Sequence, residues 1–135
     1  MWLQNAKKRV EDNWEHTPSD YFALLGQLQA FAASNTTAIV RPEWNDPVVV
    51  KRLLDLGAQG LLFPMIQSVE EAEKAVAATR YPPHGMRGVS GATRATKFGR
   101  ITDYNARVEE ETTVILQLET GLAISRAEEI AAVDG

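Results

Sequence analysis

The chain contains no cysteine in 135 residues, so neither disulfides nor thiolate metal sites are open to it. It has no excess of positive charge: 14 Lys and Arg stand against 18 Asp and Glu, for a net charge of −4. With a pI near 5.2, it lacks the basic footprint that nucleic-acid binding requires. No apolar run approaches the roughly 20 residues of a membrane span. The first residues, MWLQNAKKRVEDN, carry Lys7, Lys8 and Arg9 with no apolar stretch after them, which does not read as a secretory signal. A Gly-x-x-x-x-Gly-Lys-Ser/Thr motif is missing, and no glycine cluster follows a strand and opens a helix; this argues against phosphate-loop and dinucleotide binders. Tight repeats and low-complexity tracts are missing too. These absences leave a soluble domain, expected in the cytoplasm, with no nucleic-acid or membrane partner.

The remaining composition is ordinary for such a domain, 44% apolar and 24% charged, and the length suits one domain with a real core. Thr17-Pro18 reads as a helix start, the threonine capping and the proline in the first position. That helix is expected to run to about Ala33, with Phe22, Leu25, Leu28 and Phe31 or Ala32 on one face. Thr36 to Arg41 is a β-branched strand. Asp46-Pro47 starts a second helix, lined by Val49, Leu53 and Leu56 and stopped by Gly57. Residues 60–65, GLLFPM, are strand-like, and Ser68 with Glu71 opens a third helix to about Ala78. The segment from Tyr81 to Tyr104 carries two prolines and four glycines; a connection that long is usually functional or disordered. A short helix is expected around Asp103–Glu110, a strand at 114–119, and a last helix from Ala123 to Val133. Strands alternating with helices argue for an α/β protein with a parallel sheet, either doubly wound or part of a barrel.

One strand end raises a question of chemistry. In VILQLETG, residues 114–121, an apolar body ends in Gln117 and Glu119, and alternation puts both on one face. A buried carboxylate is costly unless it is paired or holds a cation. Arg41 ends another strand, and His16 precedes a helix, where a strand-to-helix loop would lie. Polar groups gathered at the carboxyl ends of parallel strands are how sites are built on such sheets.

Several stretches together resemble the HpcH/HpaI family of pyruvate-dependent class II aldolases: EHTPSDY, VRPEWNDPVVVKRLLDLGAQGLLFPM, EEAEKAVAATRYPPHGMRGVSG and VILQLET. RYPPHGMRGVS is the most specific of them. The resemblance implies a (β/α)8 TIM barrel, of which this chain would supply about half, and a homo-oligomer. It implies a lyase that cleaves 4-hydroxy-2-oxo acids to pyruvate and an aldehyde with a divalent metal, Mg2+, Mn2+ or Co2+. Carried over residue by residue, His16 becomes the catalytic acid/base and Arg41 the transition-state stabiliser. Asp55 would raise the basicity of the histidine, Gln117 would contact the substrate, and Glu119 would be a metal ligand.

These residue types suit that chemistry. A carboxylate is a hard ligand for Mg2+ or Mn2+. The planar guanidinium holds an oxyanion as lysine cannot, and histidine titrates near neutrality. Plainer readings stand beside them. His16 can be a surface or capping residue, Arg41 an exposed strand end, and Asp55 an ordinary helix-surface partner of Lys51. His84 reads as surface, and Arg87 and Arg94 carry no assignment. Two departures stand out. Residues 1–14 read as an atypical N-terminal segment, charged where the family has an apolar strand, and Asn13 rather than an acid lies three before His16. Residues 15–135 read as a partial aldolase-like barrel domain, ending before the family's Gly-Pro-x-Asp turn and its second metal carboxylate. The alternative to a metal-dependent aldolase is therefore a non-catalytic barrel fragment acting as an oligomerising or interaction module.

Overall fold

The computed structural model describes residues 9–18 and 20–135. Among these residues four strands, β1 (Arg9–Asn13), β2 (Thr37–Arg41), β3 (Gly60–Phe63) and β4 (Thr113–Leu116), form one sheet in the order β1-β2-β3-β4. Every pairing is parallel, from Arg9 opposite Thr37 through Phe63 opposite Leu116. Between and after the strands come α1 (Tyr21–Phe31), α2 (Pro47–Asp55), α3 (Val69–Thr79), α4 (Tyr104–Glu111), α5 (Gly121–Ser125) and α6 (Ala127–Ala131). Strand order follows chain order without the reversal that marks a doubly wound sheet. With right-handed crossovers, such an order puts the connecting helices on one face. The choice between open sheet and barrel therefore falls to the barrel, of which the described residues supply four strands.

Local chemistry explains most of the boundaries. Asp46 accepts hydrogen bonds from the Val48 and Val49 amides at 2.8 and 3.0 Å, with Pro47 in the first turn of α2. Ser68 accepts from the Glu71 amide at 3.2 Å, and Glu71 accepts in turn from the Gln67 amide at 2.7 Å. That exchange is a capping box displaced outward by one residue. Gly57, at φ +98°, ends α2 in the left-handed region.

Three expectations are corrected. α1 begins at Tyr21, capped by Asp20, which accepts from the Ala23 amide at 2.8 Å; Thr17 instead donates to the Asn13 carbonyl. The buried stripe of α1 is rotated, with Leu24 and Leu28 inside and Phe22 84% exposed. The expected last helix is two short ones broken at Arg126. A fourth difference is that β1 exists at all within the charged segment 1–14. Its backbone pairs along all five residues with β2, and strand propensity yields readily to such context.

The two sheet faces divide the work. Ala38, Val40, Leu61 and Phe63 enter the core with Val50, Leu53 and Leu54 of α2 and Ala72 and Ala75 of α3. Alternation sends Ile39, Arg41, Leu62, Ile115 and Gln117 to the opposite face. On that face a side-chain carbon added at Gly60 would lie 2.4 Å from Ile39 Cδ1 and 3.3 Å from Thr113 Cβ. Glycine there lets β2 and β4 lean together over β3, the concave curvature a barrel interior needs.

Candidate active site

The carboxyl ends of β1, β2 and β4 bring Glu15, His16, Arg41 and Glu119 into one cluster. Pairing of β1 with β2 continues one residue beyond the strand, the Trp14 amide donating to the Arg41 carbonyl at 3.1 Å. That places Glu15 and His16 beside Arg41. The Arg41 guanidinium, 10% exposed, contacts the Glu15 carboxylate through Nη2, and the same nitrogen lies 3.6 Å from Glu119 Oε1. His16 Nε2 lies 3.5 Å from Glu15 Oε2, and the ring is 68% exposed. The other Glu119 oxygen, Oε2, accepts a 2.9 Å hydrogen bond from the Met65 amide just past β3. Met65 itself takes a left-handed conformation, φ 54°, a strained state that persists only where its surroundings over-determine it.

Gln117 is fixed by its backbone. Its amide donates to the Phe63 carbonyl at 2.9 Å, and its carbonyl accepts from the Ile66 amide at 3.1 Å. Its side-chain oxygen is buried without a hydrogen-bond partner among the described residues, as are Asn13 Oδ1 and Arg41 Nε. Buried polar atoms are nearly always satisfied, so these groups at the carboxyl ends of the strands are suited to a polar ligand. The cluster holds one arginine that is nearly buried, two carboxylates that lean on it, and one accessible imidazole. It can bind an anion, and it can pass a proton to or from solvent.

The structure thus brings His16, Arg41 and Glu119 into one cluster, with Gln117 following the same strand, β4, as Glu119. It does not bring Asp55 to His16 within one chain. α2 runs back from the carboxyl ends, so its last residue, Asp55, lies toward the amino ends of the strands. There the Asp55 carboxylate accepts a 2.8 Å bond from Arg87 Nη2, not from Lys51 as a helix-surface reading had it. Arg87 is fully buried and stacks on Tyr81, with its guanidinium carbon 4.6 Å from the ring centre and 5.9 Å from that of Tyr104. The carboxylate and the two phenols hold Arg87 charged, its pKa raised in spite of burial. Arg94 donates to the Leu56 and Leu28 carbonyls. His84 lies 3.0 Å from Glu109 Oε2 and is 65% exposed. Glu15 is the residue that sequence reasoning passed over. Its signal was position: a carboxylate next to His16, two residues past the end of a strand, on the face that Asn13 shares.

A family model, HpcH/HpaI aldolase/citrate lyase, matches residues 13–135. A pyruvate aldolase of Rhizobium etli is 54% identical over 121 residues, covering 90% of this chain and 48% of the relative. A 4-hydroxy-2-oxo-heptane-1,7-dioate aldolase of Salmonella dublin is 50% identical over 122 residues, covering 90% and 46%. Among solved structures, an HpcH/HpaI aldolase/citrate lyase family protein from Burkholderia cenocepacia superposes with a TM-score of 0.92 at 36% identity. That superposition covers 98% of this chain and 54% of the other. The chain spans about half the length of the curated relatives it matches.

Proposed function

The chain belongs to the HpcH/HpaI aldolase/citrate lyase family, and from that premise we propose that its cluster is half of the active site of a divalent-metal pyruvate aldolase. The substrate class is a 4-hydroxy-2-oxo acid, cleaved to pyruvate and an aldehyde. The observation that carries this reading is Arg41, nearly buried between Glu15 and Glu119 with His16 at the rim.

The donor chemistry fits a hard cation. The carboxylates present are Glu119 and Glu15, the neighbouring orphan acceptors on Gln117 and Asn13 are amide oxygens, and the chain has no thiolate to offer. Mg2+ is commonly held by one or two carboxylates, with water and substrate completing its shell. Among the described residues no group of three or more His, Cys, Asp or Glu side chains is arranged to hold a metal ion; Glu119 would hold it, as the family resemblance implies. When bound, such a cation acts as a Lewis acid toward the keto oxygen of a 2-oxo acid.

The chain's own residues supply the rest. Arg41 neutralises negative charge as it develops on the 2-oxo acid, from a fixed and desolvated position where that is worth most. Gln117 contributes a side-chain oxygen, without a partner among the described residues, that accepts from a substrate hydroxyl or a bound water. His16, reached by solvent, takes the proton of the 4-hydroxyl as the bond between C3 and C4 breaks. The bonding pair passes into the pyruvate enolate, and a proton returned through water to C3 completes the methyl group of pyruvate. Glu15 contacts the same Arg41 nitrogen that faces Glu119, so the guanidinium is aimed before substrate arrives.

The test is pyruvate release from 4-hydroxy-2-oxoheptanedioate, followed against Mn2+ concentration, for the chain and its Glu119→Gln variant. Loss of the metal-stimulated rate with an unchanged far-UV spectrum is the expected result. Unaltered metal-dependent turnover would remove Glu119 from the site.

A further inference from the structure

At the opposite end of the sheet lies a cavity of about 680 Å3, within the roughly 300–1,000 Å3 range of small-molecule sites. It opens below the amino ends of β2, β3 and β4, between α1, α4 and the connection that precedes α4. Its walls mix two chemistries. Leu28, Phe31, Ile101, Tyr104 and Val108 give it an apolar side, and Arg94, Lys97 and Arg100 give it positive charge. The fourth cation of the lining, Arg107, is already held by Asp103 and Glu111. None of the other three forms an ion pair with a carboxylate among the described residues. Three uncompensated cations around one cavity are unexpected in a chain whose net charge is −4.

The basic wall is a built feature. Arg94 reaches across the cavity floor and donates to the Leu56 carbonyl at 2.7 Å and the Leu28 carbonyl at 3.3 Å, tying the connection to the ends of both α1 and α2. Beyond it, Lys97, Phe98 and Gly99 are left-handed in succession, with φ of 49°, 57° and 85°. Two of these three are not glycine, so the turn is strained and must be held from outside. Thr96, 4% exposed, holds it: its hydroxyl accepts from the Thr93 and Gly99 amides and donates to the Gly91 carbonyl. The turn leaves Phe98 74% exposed at the rim of the cavity, next to Lys97.

We propose that this cavity binds an organic anion with an apolar body, its charged head against Lys97 and Arg100 and its tail along Phe31 and Ile101. An aliphatic carboxylate of medium length is the simplest member of that class. The site is separate from the Arg41 cluster, and binding here does not depend on the aldolase reading.

The test uses the whole chain and sodium octanoate as probe, with acetate and octanol as the head-only and tail-only controls. Titration calorimetry is expected to give saturable octanoate binding at one site per chain, at least about tenfold tighter than either control. Amide shifts in a two-dimensional NMR spectrum should map to residues around 28–38 and 94–108. The exposed double variant Lys97→Glu/Arg100→Glu should weaken octanoate by about tenfold, and added salt should weaken it in the unaltered chain. No octanoate binding overturns the proposal. Equal binding of octanol, or indifference to the double variant, overturns it as well, since either would reduce the cavity to apolar surface. Shifts that follow protein concentration rather than probe would mean that a second copy fills the cavity, which also overturns it.

Discussion

Replacing Asp55 by asparagine should destabilise this chain more than replacing Arg87 by methionine, although Asp55 is the more exposed partner. The pair is joined by one 2.8 Å bond, and the side chains are 23% and 0% exposed. Asp55→Asn leaves the guanidinium charged and wholly buried, its Nε and Nη1 already without partners among the described residues. Stranding a buried charge in that way costs about 3–5 kcal/mol, trimmed toward the lower end because asparagine still offers a carbonyl. Arg87→Met keeps most of the side-chain volume between Tyr81 and Tyr104, and it strands only a carboxylate that water reaches. Its cost is the lost charge-assisted bond and ring contact, about 1–3 kcal/mol. Against a total stability of roughly 5–15 kcal/mol for a domain, both shifts are measurable. Urea unfolding followed by tryptophan fluorescence, with buried Trp14 as reporter, gives the two values. Adding the double variant gives their coupling, expected at about 1–3 kcal/mol. If Arg87→Met cost as much as Asp55→Asn, or both cost under about 0.5 kcal/mol, the pair would be behaving as a surface ion pair and the argument from burial would fail.

Other expectations follow from the same geometry. His16→Ala should lower the cleavage rate by about 10²–10⁴-fold, the usual worth of a positioned general base, while Mn2+ affinity stays within about twofold; equal losses in both would make His16 a ligand or a structural residue. Burial raises the Tyr81 phenol above its ordinary value, so one of the three tyrosines should ionise late in a titration read at 295 nm. The sign is fixed by linkage: a raised folded value gives stability that is full below the unfolded pKa, about 10, and lost as pH rises through the folded one. Stability that stayed flat from pH 9 to 12 in Tyr81→Phe as in the parent chain would show that the phenol carries none of it.

Punctuation residues made much of this fold readable. Asp46-Pro47 and Ser68 announce α2 and α3 because a side-chain oxygen at a helix start has one local job, and the β-branched run before Arg41 announces β2. What sequence could not show depended on distant partners. β1 is charged and poor in strand formers, and it exists because β2 offers it a backbone ladder. α1 could start at Thr17 or at Asp20, and the choice turned on whether Thr17 bonds forward into the helix or back to Asn13. The site divides in the same way. Gln117 and Glu119 stood out because alternation put two polar groups on one face of an apolar strand, and Arg41 because it closed another. Glu15 was hidden, since only the pairing of β1 with β2 sets it against Arg41. The partner of Asp55 was hidden too, being 32 residues away in the sequence on a long irregular connection.

A site at the Arg41–Glu119 end of the sheet that stabilises the pyruvate enolate during the proposed cleavage also exchanges the methyl protons of bound pyruvate with solvent. Proton NMR of pyruvate in deuterated buffer, with this chain and Mg2+ and then with excess chelator, tests it most directly. Loss of the methyl signal with metal, halted by the chelator, is the predicted result. A methyl signal that persists with metal, in a sample shown to be folded, would contradict it.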